Sequence, residues 1–593
     1  IHVLNNINLK TRRGYFMKAI MATLFLVSVI LLSGLSSVSY AQNDTLVVYA
    51  NSDKTLDQII SADVSTGGAQ AHKVYKLVST DTTYLFAAAI TATSNISIVG
   101  KLGLNGRPAT IQPDVLPDAS VPGTFLILNK NGIKALLKNL YITGQSIAGS
   151  VNSPNAIGII VKSDSCRLEV DNCVFEQWDQ YALNYQGNMD KLFVYNTKFR
   201  NMVNSAGQWY VGEAVRNSGG NATDSLVMRN NTFFCVNAYA AAPVTGKILK
   251  YFEFIHNDVV WMFKNPFFAF NVTNAKINDN LFYAAWAGGI SKTEYPWWDQ
   301  LRSPEKGSLI DFDTLNVAIA KIFDPQDSTN ANVRMLAEAK RTVEVKNNTY
   351  FWPQRVIDYI KAWNDTAHVD SVITATWMNQ RTTNMFADST TWPGFVEANN
   401  QNVDPGFGPS IDSVMDNKPE FGVGFLEYFK AVRTAKISTE VWGYHLQHVM
   451  QGVNWIPQWP LPEAKDLKYT NATLLTASTD GKPIGDLNWF NMAISGVKNY
   501  SSVVPKHFTL YEAYPNPFNP STNIKFDLPQ SGNVTLKIYD IQGRLVTTIL
   551  NNEFKISGTY EYKVDLNRMA SGIYLYTLQQ NGQMLTKKMA LLK

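Results

Sequence analysis

From Ala135 to Tyr350 the chain repeats one short pattern: apolar, any, apolar, any, Asn or another polar residue, two more residues, then an apolar or aromatic one. Seven segments fit it. They are Ala135-x-Leu137-x-Asn139-x-x-Ile142, Leu168-x-Val170-x-Asn172-x-x-Phe175, Leu192-x-Val194-x-Asn196-x-x-Phe199, Leu226-x-Met228-x-Asn230-x-x-Phe233, Phe252-x-Phe254-x-His256-x-x-Val259, Ala275-x-Ile277-x-Asp279-x-x-Phe282 and Val343-x-Val345-x-Asn347-x-x-Tyr350. The opening alternation is the period of a strand with one buried face. Successive polar slots lie 23 to 34 residues apart until a longer gap before Asn347, which suits solenoid coils with loops of varying length. Inward residues of each short strand then stack on their counterparts one coil away. Asn ends the strand because its amide bonds the turn backbone and it tolerates the left-handed conformation. Ile96-x-Ile98-x-Gly100 reads as an earlier coil. A β-sandwich or propeller competes with this reading, but seven matches in one register weigh against chance.

The pattern breaks twice. An insertion over 288–340 carries Tyr295-Pro296-Trp297-Trp298 and helix-like runs near Leu315 to Phe323 and Val333 to Lys340. After Gln354 the pattern is mixed and includes Asp404-Pro405-Gly406-Phe407 and Gly485-Asp486-Leu487-Asn488-Trp489. These strings are expected to cover the open end of the solenoid, where backbone and core would otherwise be exposed.

From about residue 507 the texture changes again. Pro515, Pro517 and Pro520 lack donors and form an extended lead-in. Alternation at Asn523–Leu528, Val534–Tyr539, Tyr560–Val564 and Gly572–Leu578, with turn chemistry at Asp540–Gly543 and Asn581-Gly582, predicts a small β-sandwich. At the other end, Ala19 to Leu35 is almost wholly apolar, follows Arg12, Arg13 and Lys18, and precedes the small residues Ser39 and Ala41. That is the form of a secretory signal cut before Gln42, with residues before Met17 read as upstream sequence. The run is short, contains Ser28 and Ser33-Gly34, and lacks a basic stop, so no transmembrane span is expected in the mature form.

The tail resembles the type A C-terminal sorting domain of type IX secretion cargo. The resemblance rests on Pro515-Asn516-Pro517-Phe518-Asn519-Pro520, on Ile538-Tyr539-Asp540 with Gly543 and Arg544, and on Ala570-Ser571-Gly572-Ile573-Tyr574. It implies handling by the type IX machinery, export through the outer membrane, and then release or anchoring at the outer cell surface. A fibronectin-like or carbohydrate-binding module is the competing reading, and it requires no such opening motif. The coils resemble the right-handed parallel β-helix of pectate-lyase-like proteins. The expected fold is therefore all-β, a right-handed parallel β-helix followed by a small immunoglobulin-like sandwich. The expected division is 1–41 signal and upstream residues, 42–353 β-helix with its insertion at 288–340, 354–506 capping region and linker, and 507–593 sorting domain.

With Lys+Arg at 52, Asp+Glu at 48 and a formal charge of +4, nucleic acid is not an expected partner. Cys166, Cys173 and Cys235 are too few for a disulfide framework and read as buried small hydrophobes. Aromatic residues make up 12 % and include 14 Trp, which suits a sugar-binding surface or a large core equally.

In β-helix enzymes that cleave acidic polysaccharides, the substrate lies across a parallel sheet. Lysis needs a base near the α-proton and a cation to neutralise the uronate. The segments preceding each repeat read as that second sheet and offer Lys162, Tyr185, Glu213, Arg216 and Asn271, with Lys198, Arg200 and His256 beside the Asn turns. Lys162, Arg216 and Tyr185 are the candidate catalytic set. Trp209, Tyr210, Trp297, Trp298 and Asn271 are the candidate substrate-binding set, and Trp178, Trp261 and Trp286 are further candidates for a groove rim. For each residue the competing reading is a solvated face or core packing. His445-x-x-His448 lacks a third ligand for a metal. Asp171, Asp190 and Asp279, on stacked turns, are candidates for calcium. The paired-Asp and Gly-His-Gly motifs of β-helix polygalacturonases are missing, as are His-Glu-x-x-His and Gly-x-Ser-x-Gly. The resulting expectation is a secreted or surface-exposed protein that binds an acidic polysaccharide, and the sequence leaves open whether it also cleaves it by β-elimination. The alternative is a non-enzymatic surface or adhesive protein that uses the β-helix as a rigid scaffold.

Overall fold

The computed structural model describes residues 44–593 except 51–52, 67–69, 150–155, 203–210, 243–246, 268–270, 292–307, 367–371, 417–423, 435–442, 445–448, 452–453, 493–504, 506, 530–531, 556–557, 568 and 581. The expected secretory signal lies outside these residues. Leu46–Lys593 forms one compact unit.

Three parallel sheets wind through this unit as a β-helix. Sheet 1 has eleven strands among the described residues, and all seven repeat segments are consecutive members of it, from Lys134–Lys138 to Thr342–Lys346. Ile96–Gly100 pairs in parallel with the first of them. The register is the one the repeat aligns: Leu168 opposes Ala135 and Leu192, and Ala275 opposes Phe252 and Val343. The final apolar slot of each repeat begins sheet 3, where Phe175 opposes Ile142 and Phe199, and Phe282 opposes Val259 and Tyr350. The stacked rings of Phe175, Phe199 and Phe233 run through the core with centroids 5.4 and 5.2 Å apart. Sheet 2 has six strands among the described residues, including Ile157–Val161, Tyr181–Tyr185 and Glu213–Asn217. Sheets 1 and 3 continue one coil past residue 353, through Phe395–Ala398 and Gln401–Asn402.

Every polar slot of the repeat is left-handed, with φ of 57° at Asn139, 60° at Asn230, 54° at His256 and 53° at Asn347. A second ladder, one residue further on, lies inside the coil. The Nδ2 of Asn231 donates to Oδ1 of Asn257, and the relay continues through Asn280 and Asn348 to Asn400. Each amide also donates to a strand carbonyl, as Asn257 does to Met228 at 3.0 Å. Burial is tolerated because the donors and acceptors are matched. At Gly100, an added Cβ would lie 2.2 Å from the backbone oxygen of Asn139, so only glycine permits the first coils to approach.

The two ends are covered separately. Helix Leu56–Ala62 places Leu56 and Ile60 in the core beneath the first coils. Past the last coils, helix Gln380–Ala387 inserts Met385, and Trp377 stacks on Tyr350 at 4.7 Å. The strings expected to close the end lie instead along the flank. Gly485 N donates to Asp279 O, Asp486 N to Asp258 Oδ1 and Leu487 N to Asn230 Oδ1, so this segment crosses three successive corners. Phe407 packs on Tyr283 of sheet 3. The reason is the outer face of sheet 3, where Phe234, Val260 and Tyr283 are apolar and need a cover, which Ile411, Val414, Phe425 and Phe429 supply.

The insertion forms helices Val317–Phe323 and Val333–Lys340, within the two expected runs, and they pack together through Ile319, Ala320, Val333 and Ala337. All three cysteines are free and buried. The tail is a sandwich of a three-stranded and a four-stranded antiparallel sheet. Strand Leu545–Lys555 is an addition to those the alternation predicts. The Pro-rich lead-in seals the sandwich: Phe518 is buried, its N–H donates to Ala590 O at 2.9 Å, and Asn516 Oδ1 accepts from Ala590 N at 2.8 Å. At the Asp540–Arg544 turn, Arg544 Nε meets Asp540 Oδ2 at 2.6 Å and Gly543 has φ of 79°. Gly572 opens the strand that carries Tyr574, whose hydroxyl donates to Ala570 O. Pro515 O accepts from the Thr522 hydroxyl, and Pro517 follows in the same lead-in.

Candidate functional site

Sheet 2 alternates as a half-buried strand does. Ile159, Leu183 and Val215 oppose one another and face the core, and the neighbouring row of Ile160, Asn184 and Arg216 faces outward. Arg216 is the chemical centre of that face. Its Nη1 lies 3.0 Å from Oε1 of Glu213, and the guanidinium sits over the Tyr181 ring at 5.9 Å. The Arg216 side chain is 31 % exposed, whereas that of Glu213 is 0 %. A cation is thus presented to solvent above a buried carboxyl group. Burial pushes the Glu213 carboxyl up to about 8 despite the opposing pull of Arg216. The Glu213 carboxylate holds the Arg216 guanidinium above its ordinary range, against its own desolvation.

Two polar atoms beside this pair lack hydrogen-bond partners among the described residues, Glu213 Oε2 and Asn184 Nδ2. Asn184 Oδ1 meanwhile accepts from Ser218 N at 3.2 Å. Buried, unpartnered donors and acceptors next to an accessible cation are the groups a polar ligand could satisfy.

The other sequence-predicted residues divide clearly. Lys162 is exposed and follows strand Ile157–Val161, two strands away from Arg216 on the same sheet, so the two side chains start about 10 Å apart across the strands. Tyr185 is fully buried and belongs to the core, with its phenol pushed well above the ordinary range by burial. Its ring therefore points away from the face that carries Arg216. Asn271 is buried at the start of strand Val272–Asn278 in sheet 1, where its carbonyl accepts from Leu249 N. Trp209, Tyr210, Trp297 and Trp298 lie outside the described residues, as do His445 and His448. Trp178, Trp261 and Trp286 are core residues, not rim residues. Tyr181 and Asn184 were not singled out from the sequence, although pairing the second-sheet segments places Tyr181 opposite Glu213 and Asn184 opposite Arg216.

The residues beside the Asn turns serve the flank. Lys198 lies over Trp489, and Arg200 and His256 are buried against residues 444–485. The calcium candidates are likewise committed to separate protein partners: Asp171 to Lys138 and Asn196, Asp190 to Cys166 N, Asp279 to Thr479. Among the described residues, no group of three or more His, Cys, Asp or Glu is placed to hold a metal ion. A cleft of about 260 Å³ near the first coils is lined by Asp81, Arg107 and Asn454, and by none of the predicted site residues.

The architecture defines a parallel β-helix carrying an accessible cation on one sheet and a β-sandwich tail. Residues 512–591 match the family described as the secretion system C-terminal sorting domain, so the tail is a type IX sorting domain. It directs the chain through the type IX machinery to the outer cell surface or the medium. No helix among the described residues is long and apolar enough to cross a membrane. No curated protein and no solved structure matches the chain.

Proposed function

We propose that the outer face of sheet 2 binds an acidic polysaccharide, with Arg216 taking a uronate carboxylate. The observation that supports this is the pairing of a partly exposed guanidinium with a fully buried carboxyl group 3.0 Å away. An Arg fixed by its hydrogen bond to the Glu213 carboxyl is pre-oriented for bidentate recognition of a carboxylate, and little rotamer freedom remains to be lost on binding. Lys162, further along the same sheet, provides a second cation for the next acidic residue of an extended chain. Export to the cell exterior puts this face where polysaccharide is met.

Cleavage would require a base as well. Glu213, held beneath Arg216, is the group that fits once it is ionised above about pH 8, because its Oε2 has no partner among the described residues. In β-elimination it would take the proton α to the uronate carboxyl. The electron pair left behind forms the carbon–carbon double bond, the glycosidic carbon–oxygen bond breaks, and the leaving oxygen takes a proton from solvent. The buried position of Tyr185 removes it from this reading. Incubation with a panel of polyuronates tests both parts, since unsaturated products absorb in the ultraviolet. Retention on immobilised polyuronate without absorbance supports binding alone. Neither retention nor product would overturn the proposal in favour of the rigid scaffold.

A further inference from the structure

Sheet 1 carries an apolar patch on its outward face, which a solenoid strand normally gives to polar residues. Leu192 and Val194 point into the coil, so Phe193 and Tyr195 point out. Val227 directly opposes Phe193 on the next strand, and Tyr251 lies on the strand after that. All four are nevertheless buried, with Phe193 at 0 % and Val227 at 1 % exposure. They do not belong to the solenoid core. They form one continuous apolar cluster with the interior of the sorting domain, which includes Phe526, Tyr560, Tyr576 and Leu578.

Charged residues around the patch are covered with it. Arg167 is buried and holds its guanidinium 3.9 Å above the Phe193 ring. Glu253 is buried between Arg229 and the Tyr251 hydroxyl. The same row is polar on the three following coils, at Glu253, Lys276 and Glu344, where Glu344 bonds Asn278 and Lys346. The apolar surface is thus confined to the coils beneath the tail and rimmed by charge, the anatomy of a docking surface.

We infer that this face is a seat built into the β-helix for its own sorting domain, and that it retains the tail without the covalent connection through 493–504. The tail would then travel as part of a single compact particle, and cutting the connecting segment would leave a complex that must dissociate before the tail is lost. The occupant is residues 507–593 of the same chain, and the face it leaves behind is the one around Phe193 and Val227.

The test uses the full chain with a specific protease site placed within 493–504. After complete cutting, the tail is expected to co-elute with the body in size-exclusion chromatography at micromolar concentration. Phe193→Ser combined with Val227→Ser is expected to weaken retention at least tenfold while leaving the circular-dichroism spectrum of the body unchanged. Hydroxyl-radical footprinting of the uncut wild-type chain needs no variant and is expected to show Phe193, Tyr195 and Tyr251 protected. Separate elution of the wild-type tail would overturn the inference, as would oxidation of those three rings at the rate of exposed residues. Protection that disappears on dilution together with a dimer mass in light scattering would also overturn it, since the occupant would then be a second copy.

Discussion

Arg200 Nε lies 2.7 Å from Oε1 of Glu463, a contact between the third-sheet strand Lys198–Met202 and a segment 263 residues further along the chain. The same guanidinium pairs with Glu176 on the preceding coil, and Tyr141 donates to that carboxylate. All four groups are buried. Buried charges of this kind require every partner, because the cost of desolvation is recovered only when the set is complete. Arg200→Ala should destabilise the protein by about 3–5 kcal/mol by leaving two carboxylates uncompensated. Urea unfolding followed by tryptophan fluorescence checks this, and a change below about 1 kcal/mol would mean that water reaches the site.

The interior Asn ladder makes a similar demand with neutral groups. Asn257→Ala removes the acceptor for Asn231, a donor to Asn280 and the partner of the Met228 carbonyl. Leaving such groups unsatisfied costs about 1–3 kcal/mol, so a clear fall in the denaturation midpoint is expected. Asn257→Asp, which when protonated keeps the acceptor and one O–H donor in place of the two amide N–H donors, should fall between wild type and Ala when measured below the pKa of the new carboxyl.

Gly100→Ala tests the close approach of the early coils. The added methyl group meets a backbone oxygen, not the end of a side chain, so the coil itself must move. A loss of about 1–3 kcal/mol is expected, read as a lower melting temperature in calorimetry.

Stability should depend on pH through two buried carboxyls. Burial pushes Glu213 up to about 8 and Asp190 up to about 7, so the folded chain retains protons that the unfolded chain gives up near the ordinary carboxylate range. The folded state binds more protons between those limits, and stability therefore falls as pH rises from about 4 to about 8. Both contributions are fully present below the ordinary range and lost once the raised values are passed. Unfolding free energies from urea titrations at pH 5 and pH 8 should differ by an amount on the order of a few kcal/mol, with the midpoint lower at pH 8, and Glu213→Gln should flatten the slope above pH 7. A midpoint that rises over this interval would show that Glu213 is ionised in the fold.

Much of the solenoid was legible because stacking forces the same chemistry into the same slot. The apolar pair selects inward strand positions, and Asn at the corner reports a left-handed residue, as at Asn139, Asn172, Asn196, Asn230 and Asn347. The coil at 395–402 was hidden because Glu397 occupies an inward slot opposite Val345, where it accepts from Trp377 Nε1 and Asn400 Nδ2. The interior ladder was missed because the residue after the corner varies, from Cys173 and Thr197 to Asn231. A second left-handed line at the ends of the sheet 3 strands has no signal at all, since Gln177, Asn201, Cys235, Trp261 and Ala284 share no chemistry. Only the surrounding coils over-determine that conformation. For the site, the alternation in Tyr181–Tyr185 did not reveal which tyrosine faces the core, because Ala182 and Asn184 are buried as well. Its position before the repeat at Leu226 puts Arg216 on the second sheet, but the carboxyl beneath it gains its meaning only from burial.

The most direct measurement of the central claim is affinity for a polyuronate, compared between the full chain and its Arg216→Ala variant on the same immobilised glycan, with a neutral glycan as control. The account predicts that wild type is retained on the acidic glycan alone and that the variant binds it at least tenfold more weakly with an unchanged melting temperature. Equal retention of the two proteins, or retention on the neutral glycan as strong as on the acidic one, would contradict it.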